Sequence, residues 1–338
     1  MKKIKIADKL IGKDEPTFVV AEVGQNHNGD IDLAKRLIKE AAQSGADAVK
    51  LQTIFAGGLV TDDDSGYKRL QALEFNLAQY QELSKTAGET GIIFFSTPFD
   101  ERGVDLLEKL NVPVYKIASG DLTNHPLIEY VGQTGKPIII STGAADIKEI
   151  KEAIASVGHK EIILLHCVSN YPASIEDINL RAMRAMEEVF KTPVGFSDHT
   201  EGTIAPLVAV ALGASVIEKH FTLDKALPGP DHALSLDPGE FQGMIRDIRM
   251  VEKALGSPVK EAVASEKPIR KLARRGLKAK VDIKEGVRIT GDMIAVLRPE
   301  TGLAPQYLKE VIGRRAKQTI KRNEAISWEA LEPPINFG

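Results

Sequence analysis

The sequence is poor in cysteine, in long apolar runs and in aromatic residues. Cys167 is the single cysteine among 338 residues, which excludes an internal disulfide framework and predicts a reducing, cytoplasmic location. No apolar run approaches the roughly 18 residues of a membrane span, and the start of the chain has no secretory apolar core, so we expect no membrane association. Aromatic residues make up 5% of the chain and are not interleaved with basic residues, which disfavours nucleic acid as a partner.

The composition that remains, 43% hydrophobic and 27% charged, is typical of a globular chain. Its charge is unevenly distributed. Residues 1–265 carry 28 Lys and Arg against 38 Asp and Glu, whereas residues 266–338 carry 16 against 9. This asymmetry predicts that the basic part docks on the acidic part or meets an anionic substrate, with an unevenly charged surface as the simpler alternative.

One pattern repeats eight times in the first 265 residues: a short β-branched apolar run, a polar or glycine-containing turn, and a stretch with helical periodicity. The strand candidates are Thr17–Ala21, Asp47–Leu51, Gly91–Ser96, Pro113–Ile117, Pro137–Ser141, Glu161–His166, Pro193–Phe196 and Ser215–Glu218. Strands that are apolar on both faces predict a parallel sheet covered on both sides. Eight such units predict a (β/α)8 TIM barrel. A doubly wound open sheet is the alternative, but no G-x-G-x-x-G follows the first strand.

The repeat ends after Glu252, and the rest of the chain has a different character. We predict a barrel domain over residues 1–263, a linker over 264–276 and a small β-rich domain over 277–338. In the last part, short extended pieces alternate with Gly and Pro, and only Pro305–Ile312 has a helical pattern. About 60 residues of this kind form a marginal core, so we expect this domain to lean on a larger surface.

Two lysines lie inside strand candidates, at positions where the carboxyl ends of barrel strands form one rim. Lysine is rarely buried unless paired, so Lys50 and Lys116 predict a bound phosphate or carboxylate, with Ser119, Ser141 and Ser197 close by. A Schiff base on lysine and structural ion pairs with Asp or Glu are the alternatives.

Two histidines, His199 and His220, follow neighbouring strand candidates, the seventh and the eighth. Glu22 stands at the end of the first strand candidate of the chain, directly after Ala21. Two imidazoles and a carboxylate suit Mn²⁺ better than Ca²⁺, and Mg²⁺ remains open. The alternative is a pair of hydrogen-bonded core histidines. The rigid turn Pro228–His232 presents Asp231, and Cys167 is interpreted as a packing residue because no base is evident beside it.

A series of short motifs runs through almost the whole chain in a fixed order. They are Ala21–Gly29, Val49–Thr53, Ser96–Phe99, Tyr115–Asp121, Leu165–Cys167 with Tyr171-Pro172, Phe196–Thr200, Glu218–Thr222 and Pro228–Asp231. This series resembles the sialic acid synthase family, whose members make N-acetylneuraminate, legionaminate or pseudaminate. The tail from Arg275 to Leu331 resembles the antifreeze-like (SAF) domain that ends these enzymes.

The resemblance implies a transferase that condenses phosphoenolpyruvate with an open-chain N-acetylated amino sugar, giving a nonulosonic acid and phosphate. It implies a divalent cofactor, Mn²⁺ or Mg²⁺, held by His199 and His220, and catalytic roles for Glu22, His220 and Lys116. The substrate-binding residues that it implies are Lys50, Thr97, Ser119, Asp121, Tyr171, Ser197, Asp231 and Arg298. In the family, the residue matching Arg298 reaches over the barrel of a neighbouring subunit, which implies a domain-swapped homodimer.

The sugar itself stays open at this point. The loop between Thr53 and Tyr67 is shorter than in members that use N-acetylmannosamine, and Ser169 and Asp121 stand where some members carry Asn and Glu. The candidates are N-acetylmannosamine, its 6-phosphate and a 2,4-diacetamido-trideoxyhexose, and the short loop favours the last. Two further hypotheses are a different phosphoenolpyruvate-using or Schiff-base aldolase barrel and a non-catalytic sugar-binding protein.

Overall fold

A computed structural model describes residues 2–159 and 161–333 and divides the chain into two compact units, Met1–Gly256 and Ser257–Gly338. Parts of the two predicted domains lie outside the described residues: Met1, Lys160 and residues 334–338. Among the helices that the structure describes, none combines the length and the apolar character that a membrane crossing requires.

The first unit begins with an antiparallel hairpin that the sequence analysis did not predict, β1 (Ile4–Ile6) and β2 (Lys9–Ile11). Its isoleucines are buried in the same hydrophobic core as the barrel. Lys9 Nζ lies 3.1 Å from Oδ1 of Asp47, which directly precedes a barrel strand. The hairpin therefore lies at the amino ends of the strands, away from the rim where chemistry is expected.

Eight parallel strands follow, and all eight strand candidates are confirmed. They are β3 (Phe18–Gly24), β4 (Ala48–Thr53), β5 (Ile93–Pro98), β6 (Tyr115–Ile117), β7 (Ile138–Ser141), β8 (Ile162–Cys167), β9 (Val194–Asp198) and β10 (Val216–His220). Their order is β5-β4-β3-β10-β9-β8-β7-β6, and the two outer strands of this order also pack against each other. The sheet is thus an almost closed barrel, which confirms the predicted TIM-barrel fold and excludes the open sheet.

Helices cover the outside of this barrel. They are α1 (Ile31–Gln43), α2 (Ala56–Leu59), α3 (Tyr67–Gln71), α4 (Leu77–Thr90), α5 (Glu101–Lys109), α6 (His125–Gly132), α7 (Ile147–Val157), α8 (Ala182–Phe190), α9 (Ile204–Ala211) and α10 (Pro238–Leu255). Several start at an Asp or Asn whose side chain accepts hydrogen bonds from the first turn, such as Asp146 at α7. Two short helices, α2 and α3, lie in the connection between β4 and α4, on the rim of the mouth.

The second unit has a small core of its own, which includes Leu277, Ile289 and Ile320. Its regular elements are α11 (Lys267–Ala273), β11 (Gly276–Ala279), β12 (Ile294–Leu297) and α12 (Leu308–Val311), and β11 pairs with β12 antiparallel. The predicted linker thus contains a helix, α11. Pro268 is compatible with this helix because it stands in the first turn, where its missing N–H costs no hydrogen bond. The exact domain boundaries stay a prediction.

Candidate active site

Two buried lysines and two buried carboxylates meet at the carboxyl end of the barrel. Lys50 and Lys116 are each 3% exposed. Lys50 Nζ lies 2.8 Å from Glu22 Oε2 and 3.8 Å from Glu218 Oε1, and Lys116 Nζ lies 3.5 Å from the same Glu218 oxygen. The strand register produces this cluster, because Glu22 of β3 pairs with Lys50 of β4 on one side and with His220 of β10 on the other.

Burial and mutual proximity move the pKa values of these groups in different directions. Burial raises the pKa of Glu22 from 4.5 to about 7, with Lys50 opposing the rise and Glu218 adding to it. Burial lowers the pKa of Lys116, and the charge of Glu218 offsets only part of this effect. Burial alone would also lower the pKa of Lys50, but the carboxylates of Glu218 and Glu22 raise it above its usual value. Lys50 therefore stays a cation, while Glu22 can exchange a proton near neutral pH.

Glu218 is a functional candidate that the sequence analysis did not select. Burial alone would raise the pKa of its carboxyl group, but Lys116 and Lys50 hold it below the usual value. Side chains two apart on a strand point to the same face, so the placement of His220 at the mouth already implied that Glu218 points there. The alternation of side chains along a strand is therefore the sequence signal that could have identified Glu218.

A cavity of about 240 Å³ opens at this mouth. Its lining includes nine of the predicted site residues, which are Glu22, Lys50, Thr97, Lys116, Ser119, Tyr171, Ser197, His199 and His220. The hydroxyl groups are held in place: Thr97 Oγ1 accepts from Lys50 Nζ at 3.0 Å and Ser197 Oγ donates to Glu218 Oε1 at 3.1 Å. Ser119 Oγ accepts from a backbone amide at 2.9 Å. The cavity thus combines cations, carboxylates and oriented hydroxyls.

The two predicted metal ligands face one another in the cavity wall, with ring centroids 5.4 Å apart. His199 Nδ1 lies 2.8 Å from the carbonyl oxygen of Val168, and donation to that oxygen leaves the lone pair on Nε2. His220 Nδ1 is buried without a hydrogen-bond partner among the described residues, and burial holds the pKa of His220 well below its usual range. Tyr171 stacks on His199 with centroids 4.0 Å apart.

Cys167 also lies in the cavity wall, next to an imidazole that the sequence motifs did not place beside it. Its Sγ is 3.7 Å from His199 Nδ1, because the end of β8 and the loop after β9 are neighbours on the barrel rim. Burial alone would raise the pKa of the thiol, but His199 lowers it below its usual value. Sequence separation of 32 residues hid this contact.

Comparison with known proteins decides the family. The NeuB family matches residues 37–260, and the SAF domain matches residues 274–332. The chain belongs to the NeuB family. An uncharacterized protein of Methanocaldococcus jannaschii is 49% identical over 334 residues, which are 98% of this chain and 99% of that protein.

Two other relatives carry descriptive names. The N,N'-diacetyllegionaminic acid synthase of Legionella pneumophila is 42% identical, over 95% of this chain and 96% of that protein. The structure of N-acetylneuraminic acid (sialic acid) synthetase from Leptospira borgpetersenii, in complex with citrate, superposes with a TM-score of 0.76 at 36% identity. That match covers 79% of this chain and 95% of the Leptospira chain.

Three predicted substrate-binding residues of this NeuB-family chain are not among the residues described as lining the cavity. Asp231 is adjacent to it, with Oδ2 4.0 Å from His220 Nδ1. Asp121 ends the 3-10 turn that follows β6 and accepts a hydrogen bond from Asn124 at 3.2 Å. Arg298 is exposed on the second unit. The roles of all the site residues stay predictions.

The residues present can be tested against the divalent ion that the family resemblance implies. In the part of the chain that the structure describes, no group of three His, Cys, Asp or Glu side chains is arranged to hold a metal ion. His199 and His220 nevertheless offer two imidazole nitrogens at one cavity, and the unpartnered Nδ1 of His220 is the kind of donor that Mn²⁺ binds. The site fits an ion that takes its remaining ligands from water or substrate oxygens.

Proposed function

We propose that this chain condenses phosphoenolpyruvate with an open-chain N-acetylated amino sugar to give a nine-carbon 2-keto acid and inorganic phosphate. The observation that carries the proposal is the pair of buried ammonium groups of Lys50 and Lys116 at an open cavity, both facing Glu218. Ion pairs that serve only stability need no cavity beside them. Phosphoenolpyruvate carries about three negative charges, and two lysines with hydroxyl donors match its phosphate and carboxylate.

The first step forms the new carbon–carbon bond. C3 of the enol attacks the aldehyde carbon of the sugar, the aldehyde oxygen gains a proton from solvent, and positive charge develops at C2. Lys50, Lys116 and the hydroxyls of Ser119 and Ser197 hold the phosphate and carboxylate in place for this attack. His199 and His220 would hold a divalent ion, Mn²⁺ or Mg²⁺, which supplies Lewis-acid polarisation of the aldehyde when bound.

The second step releases phosphate. Water adds to C2 and gives its proton to the Glu22 carboxylate, whose pKa of about 7 suits a base at neutral pH. The bond between C2 and the phosphate oxygen then breaks, and the C2 hydroxyl gives its proton to the departing phosphate and becomes the keto group. One water is consumed, and no oxidant or reductant is needed.

We further propose Mn²⁺ as the working ion, a cytoplasmic location and a domain-swapped homodimer. In this dimer, Arg298 of the partner subunit contacts the sugar bound in the barrel. The exposure of Arg298 and the basic character of residues 266–338 support this arrangement. For the sugar, the 42% identity to an N,N'-diacetyllegionaminic acid synthase supports a 2,4-diacetamido-trideoxyhexose.

The experiment that tests the function measures phosphate release from phosphoenolpyruvate in the presence of Mn²⁺ and each candidate sugar. We expect release with at least one N-acetylated amino sugar and none with Lys116→Met. No release with any of these sugars would exclude the synthase function.

A Schiff-base aldolase using Lys116 is a second candidate, because burial lowers the pKa of that amine toward the neutral form that such chemistry needs. Borohydride treatment in the presence of substrate separates the two mechanisms. Covalent labelling of Lys116 would support the aldolase and contradict the synthase.

A further inference from the structure

The barrel mouth carries one more cation, Arg69, which no step of the proposed reaction uses. Arg69 lies on α3, in the connection after β4, and connections of this kind form the substrate-facing rim of a barrel. Its Nη1 donates to Oε1 of Gln25, in the loop after β3. Within the described residues, no carboxylate oxygen lies within 4.0 Å of its guanidinium nitrogens. Most of its donors are therefore available to a ligand.

A row of side-chain amides connects Arg69 to the buried carboxylate of the cavity. Gln25 Nε2 donates to Gln52 Oε1 at 3.3 Å, and Gln52 Nε2 donates to Glu22 Oε1 at 3.2 Å. Gln52 lines the cavity and is half-buried. The side chain of an exposed arginine usually adopts several rotamers. Here the row of amides connects Arg69 by hydrogen bonds to the network that holds Glu22.

Asp231 adds a negative charge at the same mouth, beside His220. Burial raises the pKa of Asp231, and the positive charges of His199 and Arg69 oppose that rise. The mouth thus offers a hydrogen-bond acceptor at Asp231 and a fork of donors at Arg69. An acetamido group has one N–H donor and one carbonyl acceptor, so it complements both groups, whereas a phosphate would be repelled by Asp231.

The direction of the sugar in the site follows from the chemistry. Its aldehyde carbon has to meet C3 of phosphoenolpyruvate near Lys50 and Lys116, so the remainder of the sugar extends outward toward the rim. We propose that Arg69 is a specificity-determining residue that binds the carbonyl oxygen of a second acetamido group on the outer part of the acceptor sugar. This inference rests on the proposed synthase function and names the class of sugar that it takes.

The test compares two acceptors in the phosphate-release assay, a 2,4-diacetamido-2,4,6-trideoxymannose and N-acetylmannosamine, which lacks the second acetamido group. For Arg69→Gln we expect the KM of the diacetamido sugar to rise about tenfold or more, which is the range for loss of a hydrogen bond to a charged group. The KM of N-acetylmannosamine and that of phosphoenolpyruvate should stay unchanged. Lys68→Gln is the matched control, because it removes the same charge from the neighbouring exposed position of α3.

Arg69→Lys should recover only part of the affinity, because a single ammonium cannot replace the planar fork. An equal rise in KM for both sugars, or no rise for the diacetamido sugar, would overturn the assignment of Arg69 while leaving the synthase function in place. A selective loss of affinity for N-acetylmannosamine 6-phosphate would overturn it in favour of a phosphate contact. If the unaltered protein released no phosphate with any acceptor, the proposed function and this inference would both fail.

Discussion

Glu22 and Glu218 are buried carboxylates of one cavity, yet their surroundings give them different protonation states. Glu218 Oε1 lies within 4.0 Å of both lysines and accepts a hydrogen bond from Ser197, so its negative charge is well compensated. Glu22 is paired with Lys50 alone, and burial raises its pKa to about 7. Where the surroundings separate the pKa values of two neighbouring carboxyl groups in this way, the group that titrates near neutral pH is the candidate base.

Glu22→Gln tests this assignment through the pH profile. In the unaltered enzyme, kcat/KM should rise with pH through about 7, because the base is the deprotonated carboxylate. The variant should lose most of its turnover and this pH step. Stability should also respond: since the folded-state pKa exceeds the ordinary 4.5, the free energy of unfolding falls as pH rises between these values, and Gln removes that slope. A variant that keeps the same pH step would assign the ionisation to another group.

His220→Ala tests the proposed metal site. We expect Mn²⁺-dependent turnover to be lost and Mn²⁺ binding, followed by electron paramagnetic resonance, to weaken, while the circular dichroism spectrum stays native. His125→Ala, on outer helix α6, is the control that removes an imidazole elsewhere. Full turnover of the His220 variant in the presence of a chelator would rule out the site.

Some of these residues could be identified from the sequence and others could not. Lys50, Lys116 and His220 stand in apolar strands, where a polar residue needs a partner, so they are conspicuous. Glu218 has the same property but is the first of three consecutive polar residues that end its strand, and the histidine among them drew the attention. Arg69 has no sequence signal, because an exposed arginine on a short helix does not differ in type from an ordinary surface residue.

At the scale of elements, the eight barrel strands were predictable because each is a β-branched run bounded by turn residues. The residues at which the strands end were less predictable: β10 extends to His220 and β3 to Gly24, two and three residues beyond the predicted ends. Glu22, Lys219 and His220 among the extra residues are polar, and pairing between β3 and β10 makes them strand residues. The β1–β2 hairpin was missed because its strands have three residues each, too few for a clear alternation.

A buried ion pair joins the ends of the two strands that position the histidines. Lys219 Nζ of β10 lies 2.6 Å from Asp198 Oδ2 of β9, with both side chains fully buried. Lys219→Met should lower the free energy of unfolding by about 3–5 kcal/mol, because it leaves the Asp198 charge buried without its partner. Denaturant titration measures this loss.

The double variant Asp198→Asn with Lys219→Met should recover much of that stability, since neither charge then remains buried. Lys85→Met, which removes the exposed pair with Glu89 on α4, should leave the unfolding free energy nearly unchanged. A double variant as unstable as the single one would mean that lost packing, rather than the unpaired charge, causes the effect.

At the scale of the whole molecule, the two parts of the chain carry opposite net charges. Residues 1–265 have an acidic excess, 38 against 28, and residues 266–338 have a basic excess, 16 against 9. Such charges attract at short range and are screened beyond about 10 Å at 0.1 M salt. We therefore expect subunit association in the proposed dimer to weaken as salt rises, which sedimentation velocity would detect.

Hybrid dimers test whether one subunit completes the site of the other. Arg298→Ala should raise the KM of the sugar more than that of phosphoenolpyruvate, and Lys116→Met should abolish turnover. If the domains are swapped, co-expression of the two variants gives a hybrid in which the intact barrel of the Arg298 variant meets an intact arginine. With random pairing, about a quarter of all sites are complete, so about a quarter of the unaltered activity should return at low sugar concentration.

Lys116→Met co-expressed with Glu22→Gln is the control, because both changes lie in the barrel and no hybrid contains a complete site. If Arg298 instead acted on the barrel of its own chain, co-expression of Arg298→Ala with Lys116→Met would restore no activity, since every intact barrel would still lack its arginine. Recovery in the first mixture and not in the second requires that Arg298 of the partner subunit reaches the substrate.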